Sequence, residues 1–223
     1  MSTTNTKRLP VMRMEGAMAH WYARNRGSAG QLSAYPKQAA ALTAALPPGA
    51  RILEVAPGPG YFAVEVARRG FAVTGLDISH SFVEIATRYA REQGVPVEFR
   101  QGDAAALPFP DGTFDLIVCQ AAFKNFQEPV RALNEMHRVL GTGGVAVIQD
   151  MSRDATQAAI RAEVAAMGLS RRDALFTRVA LRGLRLRAFS ADRFRRLATA
   201  SDFKTCTVTA DGIGLEVRLT HTA

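Results

Sequence analysis

Three acids set beside glycines carry most of the chemistry legible in this sequence. Glu54-Val-Ala-Pro-Gly58-Pro-Gly60 puts a carboxylate four residues before the first of two glycines, where an apolar run gives way to an amphipathic one. Glycines at such a junction let a ligand approach the backbone and leave N–H groups facing it. Asp77 closes the next apolar run, and Asp103 follows the one after, in Gln101-Gly-Asp-Ala104. A competing reading exists. Gly58-x-Gly60-x-x-Ala63, with Asp77 at a distance suited to a ribose, fits the dinucleotide fingerprint of an NAD-binding oxidoreductase. Glu54 inside the strand end and Asp103 beyond the third strand weigh against it. So does length, because 223 residues leave too little chain for a separate catalytic domain.

These acids need a scaffold that brings strand ends together. Residues 51–56, 72–76, 97–100, 114–119 and 145–148 are apolar runs that read as strands. Between them lie helical patterns over 61–69, over 81–94 and over 128–140. The second opens on a capping-box pattern, Ser81-x-x-Glu84. Strands separated by single helices imply a parallel sheet covered on both faces. Two helices broken near Gly27–Gly30 precede the sheet, and two Arg-rich helices over 153–188 interrupt it. A helix capped by Ser190 and strands 205–209 and 215–220, joined through Asp211-Gly212, complete it. The expected fold is α/β: a doubly wound, mostly parallel seven-stranded sheet with a C-terminal antiparallel hairpin strand and a helical cap. The expected organisation is one domain overall. Residues 1–46 form the cap segment, 47–152 the cofactor-binding core, 153–188 an insertion or lid, and 189–223 the completion of the sheet.

In their order and spacing, five pieces resemble class I S-adenosylmethionine-dependent methyltransferases of the small-molecule, type 11-like group. They are residues 52–60, Gly75-Leu-Asp-Ile-Ser79, 101–104, 107–119 and Arg138-Val-Leu-Gly-Thr-Gly-Gly144. The resemblance covers roughly 50–150, and the final strand pair extends it. It implies S-adenosylmethionine as cofactor, and a loop of Ala56, Pro57, Gly58 and Gly60 wrapping its methionine part. It implies Asp77 on the ribose hydroxyls, a task suited to paired carboxylate oxygens. Ile78 would pack on the adenine, Asp103 would bond its amino group with Ala104 alongside, and Gln120 would lie near the methionine or the substrate. Glu54 and Tyr22 complete the expected cofactor set. The alternative for each acid is a helix cap or turn. Ala56 stands where the family usually has glycine, which allows a slightly different backbone path.

Methyl transfer needs an acceptor aligned behind the methyl group and water kept out. A hydroxyl acceptor often needs a base, whereas an amine need only arrive neutral. His20, in His20-Trp21-Tyr22, and Asn125 are the expected catalytic residues. Trp21, Phe123 and Lys124 are the expected substrate contacts. Relatives often carry histidine near 123–126, and Lys124-Asn125 departs from that.

The net charge is +8, from 24 Arg and 4 Lys against 20 acids, and 11 Arg fall within residues 151–200. Charge alone favours an RNA methyltransferase as the runner-up, but no base-methylating motif follows the fourth strand, so nucleic acid is not the expected partner. Two cysteines are too few for a disulfide framework or a cysteine zinc site, and no metal is expected. No apolar run reaches 18 residues, and no secretory pattern follows the first basic residues. The expectation is therefore a monomer or homodimer in the cytoplasm, without a membrane partner. Its substrate would be a small molecule, natural products included, methylated at O, N or C.

Overall fold

The computed structural model describes residues 14–222, so the first thirteen residues of the expected cap segment lie outside it. Its centre is a seven-stranded sheet in the order β3-β2-β1-β4-β5-β7-β6. The strands are β1 (Arg51–Val55), β2 (Ala72–Asp77), β3 (Glu98–Gln101), β4 (Phe114–Gln120), β5 (Leu140–Met151), β6 (Thr207–Asp211) and β7 (Gly214–Thr220). Only β7 runs against the others, pairing antiparallel with both β5 and β6. The order reverses between β1 and β4, and ligands bind such sheets beyond the carboxyl ends of strands at that switch point.

Alternation along the strands splits the core in two. Ile52, Leu116, Val118 and Val147 face α3 (Tyr35–Thr43) and α4 (Tyr61–Ala67). Leu53, Val55, Ile117, Cys119 and Ile148 face α6 (Pro129–Val139) and α9 (Ala191–Ala200). A period of two predicts that split. It also puts Glu54 on the same side as Ile52, under α4, where the carboxyl is nearly sealed from solvent.

Helix α1 (Gly16–Arg26) lies on α5 (His80–Glu92), with Ala19 and Ala23 against Phe82 and Ile85. The short α2 (Ala29–Leu32) leads into α3. The cap of α5 differs from the capping box expected at Ser81. Ser79 is the N-cap, its Oγ accepting from Phe82 N at 3.1 Å. Ser81 Oγ instead accepts from Gly16 N at 2.8 Å, and Ser79 Oγ donates to Met14 O at 2.7 Å. The serines thus strap the N-terminal segment to the end of β2. Residues 153–188 form a helical hairpin, α7 (Gln157–Ala166) and α8 (Arg171–Arg187).

Arg138 explains why its motif accompanies the 107–111 turn. It donates to Leu107 O (2.9 Å), Phe109 O (2.8 Å), Asp111 Oδ1 (2.7 Å) and both Glu135 oxygens. The guanidinium holds the Glu135 carboxyl below its ordinary range. Arg138→Ala would strand two carbonyls and two carboxylates, so we expect a loss of about 2 kcal/mol, the scale of charged hydrogen bonds. Urea denaturation should show it as a lower midpoint with an unchanged slope.

Candidate active site

A cavity of about 300 Å³ opens beyond the carboxyl ends of β1, β2 and β4. That is the lower end of small-molecule sites. Ala56, Gly58, Asp77, Ile78, Asp103, Ala104 and Gln120 line it, with Tyr22 and Met14 from the N-terminal segment and Asn125 and Phe126 from the turn after β4. A pouch of about 50 Å³ shares Tyr22, Ala56, Gly58, Gln120 and Ala121 with it. The pouch adds Arg26, Tyr35, Glu54, Pro57 and Tyr61.

Asp77 is buried, and burial raises its carboxyl above the usual range. Two backbone donors oppose that shift and aim the group: Gly58 N at 3.0 Å on Oδ2 and Ser79 N at 2.9 Å on Oδ1. The strand end therefore organises the glycine loop directly. Asp103 sits on a turn, its Oδ1 accepting from Ala105 N at 2.9 Å. Gln120 Nε2 donates to Gln149 Oε1 (2.8 Å), and Gln149 Nε2 to Glu216 Oε2 (2.7 Å). What Gln120 can offer the cavity is its carbonyl oxygen.

The two glycines divide their work. A Cβ on Gly58 would come no nearer than 4.0 Å to Tyr22, so this glycine serves the open, ligand-facing loop. A Cβ on Gly60 would lie 2.8 Å from Ala86 Cβ and from the Phe99 ring. Gly60 lines neither cavity nor pouch. It permits close packing at the start of α4 and does not touch a ligand space. Ala56 takes the left-handed conformation at φ +58°, so the turn keeps a glycine-type path despite the methyl group. Left-handed backbone costs a non-glycine residue about 1–2 kcal/mol, and glycine costs about 0.5–1 in unfolded-state entropy. Ala56→Gly should therefore stabilise the protein by about 0.5 kcal/mol in urea denaturation.

Besides Gly60, four expected contacts lie elsewhere. His20 and Trp21 face outward on α1 and line neither space; Trp21 is 58% exposed. They adjoin Tyr22 in sequence but do not share its direction, because a helix turns 100° per residue. Phe123 is fully buried in an aromatic cluster with Phe126, Phe189 and Phe194. Lys124 is paired to Asp150: Nζ lies 2.8 Å from Oδ1, and Lys124 N donates to Oδ2 at 3.0 Å. Lys124 thus fastens the turn to β5 and Phe123 anchors it in the core, and together they position Asn125. Asn125 does reach the cavity, and its Oδ1 accepts from Arg187 Nη2 at 3.3 Å. That bond ties the end of α8 to the rim, yet no residue of 153–188 lines the cavity.

Sequence reading missed Arg26. It lies four residues after Tyr22, hence on the same helix face, and that spacing was the available signal. In the pouch it accompanies Glu54, whose Oε2 is buried with no hydrogen-bond partner. Burial pushes the Glu54 carboxyl up to about 8. An orphaned acid and a guanidinium in one small pouch suit a ligand bearing both an ammonium and a carboxylate. That donor set fits the methionine end of S-adenosylmethionine.

The family model described as "Methyltransferase domain" matches residues 53–148. Residues 53–148 are a methyltransferase domain. This chain is 42% identical over 100 residues to a demethylmenaquinone methyltransferase of Thermus thermophilus, covering 44% of this chain and 46% of that protein. It is 40% identical over 109 residues to a phosphatidylethanolamine N-methyltransferase of Cereibacter sphaeroides, covering 48% and 53%. This chain thus spans about half the length of the curated relatives it matches. The crystal structure of a putative S-adenosylmethionine-dependent methyltransferase from Methanococcus maripaludis superposes with a TM-score of 0.72 over 95% of both chains. At 18% identity that likeness shows the fold of the methyltransferase domain and its flanks.

Proposed function

We propose that this protein transfers a methyl group from S-adenosylmethionine to a small, mainly apolar acceptor in the cytoplasm, and that nucleic acid is not its substrate. The observation that carries the proposal is the orphaned Glu54 carboxyl in a pouch that Arg26 also lines and that shares Tyr22, Ala56, Gly58 and Gln120 with the Asp77 cavity. In this reading Glu54 binds the ammonium and Arg26 the carboxylate of the methionine end. Asp77 accepts from the ribose hydroxyls, Ile78 and Ala104 flank the adenine, and Asp103 bonds its amino group. Gln120 and the Ala56–Gly58 loop steer the chain between them. The bound cofactor supplies a methyl group already activated on sulfonium.

The chain's remaining contribution is alignment and exclusion of water. Ala121, Ala122, Phe126, Ala132 and Met14 give the rest of the cavity an apolar lining. No histidine or cysteine lines it among the described residues, and Cys119 is buried in β4 with its thiol pushed up by burial. We therefore assign no histidine base. The acceptor arrives nucleophilic, oriented by Asn125, and Tyr22 closes the wall opposite. The relatives named for demethylmenaquinone and phosphatidylethanolamine support a lipophilic acceptor class.

Titration calorimetry tests the cofactor half. S-adenosylhomocysteine should bind at one site, and 5′-methylthioadenosine, which lacks the amino-acid end, more weakly. Arg26→Ala should cost S-adenosylhomocysteine about tenfold and leave 5′-methylthioadenosine unchanged, as loss of one charged contact does. NAD binding with no response to S-adenosylhomocysteine would refute the proposal.

A further inference from the structure

Helix α8 is turned the wrong way for a helix in water. Its half-buried residues are Ala174, Thr177, Arg178, Leu181 and Arg185, at helical spacing on the side toward α7. Arg178 and Arg185 each have a buried Nε with no partner. The outward side holds Leu175, Phe176, Val179 and Leu186, of which Phe176 is 76% and Leu186 64% exposed. Spacings of 3, 4 and 7 put these four on one stripe. The α7–α8 connection adds exposed Met167 and Leu169. A soluble helix normally presents the opposite arrangement.

Charge decides what covers the stripe. The helix carries six arginines and one acid, Asp173, which is engaged by the Ser170 hydroxyl at its own N-cap. Among the described residues none of the six arginines has an ion-pair partner. Arg171, Arg172 and Arg182 are exposed and flank the stripe. The outward face therefore offers apolar area and cationic charge of one sign, with no neutral polar side chain to set a directional hydrogen bond. A protein partner's interface would carry a mixture of such bonds. A bilayer surface asks only for apolar side chains that enter the headgroup boundary and cations that meet anionic lipid.

We propose that α8 lies flat on an anionic lipid bilayer, its Leu175–Leu186 stripe inserted and its arginines at the phosphates. The helix is about 25 Å long at 1.5 Å per residue. No described helix is long and apolar enough to cross a membrane. That fact, which underlay the expectation of no membrane partner, has no bearing on a helix lying in the surface. The Arg187–Asn125 hydrogen bond joins this helix to the cavity rim. Membrane association stands on α8 alone and does not require the methyltransferase reading.

The test is co-sedimentation of the full chain with phosphatidylcholine vesicles, with and without phosphatidylglycerol, at low and high salt. Binding should require phosphatidylglycerol and fall steeply with salt. Phe176→Asp/Val179→Asp should weaken it about tenfold or more by removing inserted apolar area, with an unchanged thermal melt. Arg171→Gln/Arg172→Gln should weaken binding to phosphatidylglycerol vesicles while leaving the melt unchanged. Failure of the wild type to bind anionic vesicles would overturn the proposal, as would equal binding by the apolar variant. Sedimentation velocity supplies the remaining arm. If the wild type self-associates and Phe176→Asp/Val179→Asp abolishes that without changing vesicle binding, the stripe is a protein interface and the lipid assignment is wrong.

Discussion

Asp77→Ala should lower the affinity for S-adenosylhomocysteine by about 100-fold, or about 3 kcal/mol, the scale expected when a buried, charge-assisted acceptor is removed. Two losses combine. The ligand hydroxyls lose their acceptors, and the N–H groups of Gly58 and Ser79 lose the carboxylate that fixes the loop. Asp77→Asn tells the two apart only in part, because an amide nitrogen would face one of those N–H donors and a rotated loop would follow. The sharper control is 5′-methylthioadenosine, which keeps the ribose. Asp77→Ala should weaken it as much as it weakens S-adenosylhomocysteine, whereas Arg26→Ala should spare it. If Asp77→Ala binds both ligands like the wild type, with its fold intact, the ribose assignment is wrong.

Much of this site was legible because strand ends are legible. Glu54 sits just inside the end of an apolar run, Asp77 and Gln120 close theirs, and a parallel sheet brings such positions to one edge by construction. The seven-stranded sheet with its antiparallel last pairing followed from the same runs and from Asp211-Gly212. What lay on helices and turns was harder to read. Tyr22, expected on the cofactor, lines the cavity, whereas the helical angles of its neighbours His20 and Trp21 carry them to the outside. Phe123 and Lys124 looked like acceptor contacts because of where they fall after β4. Their partners, Phe194 and Asp150, come from distant parts of the chain, and no local pattern reveals such pairings. Ser79 displaced Ser81 as the cap of α5 for a similar reason. Both serines satisfy the local rule, and contact with residues 14–16 decides between them. Gly60 shows the reverse case: its motif position suggests ligand contact, while the Cβ it lacks would strike Ala86 and Phe99.

Glu54 should make the unliganded protein less stable as pH rises from about 5 to 8. Its carboxyl titrates at about 8 in the fold because burial disfavours the charge and Asp77 lies nearby, with only the Ala63 N–H opposing. In the unfolded chain it titrates near the ordinary value of about 4.3. A raised folded value means that the native state holds the extra proton. Its contribution is therefore fully present below the unfolded value and is lost as pH rises through the folded one. Asp77, also raised, adds in the same direction. His137, lowered by burial and by His221, works the opposite way near its ordinary value. The difference between wild type and Glu54→Gln isolates the Glu54 part. It should change by about 2–4 kcal/mol across that window in urea denaturation. A ligand ammonium in the pouch reverses the balance by supplying the countercharge that burial denies. Binding of S-adenosylhomocysteine near neutral pH should then release up to about one proton, read from calorimetry in two buffers of different ionisation enthalpy. The release should vanish in Glu54→Gln and should be absent with 5′-methylthioadenosine, which brings no ammonium. Equal proton release from the wild type and Glu54→Gln would show that the orphaned carboxyl is not the ammonium receptor.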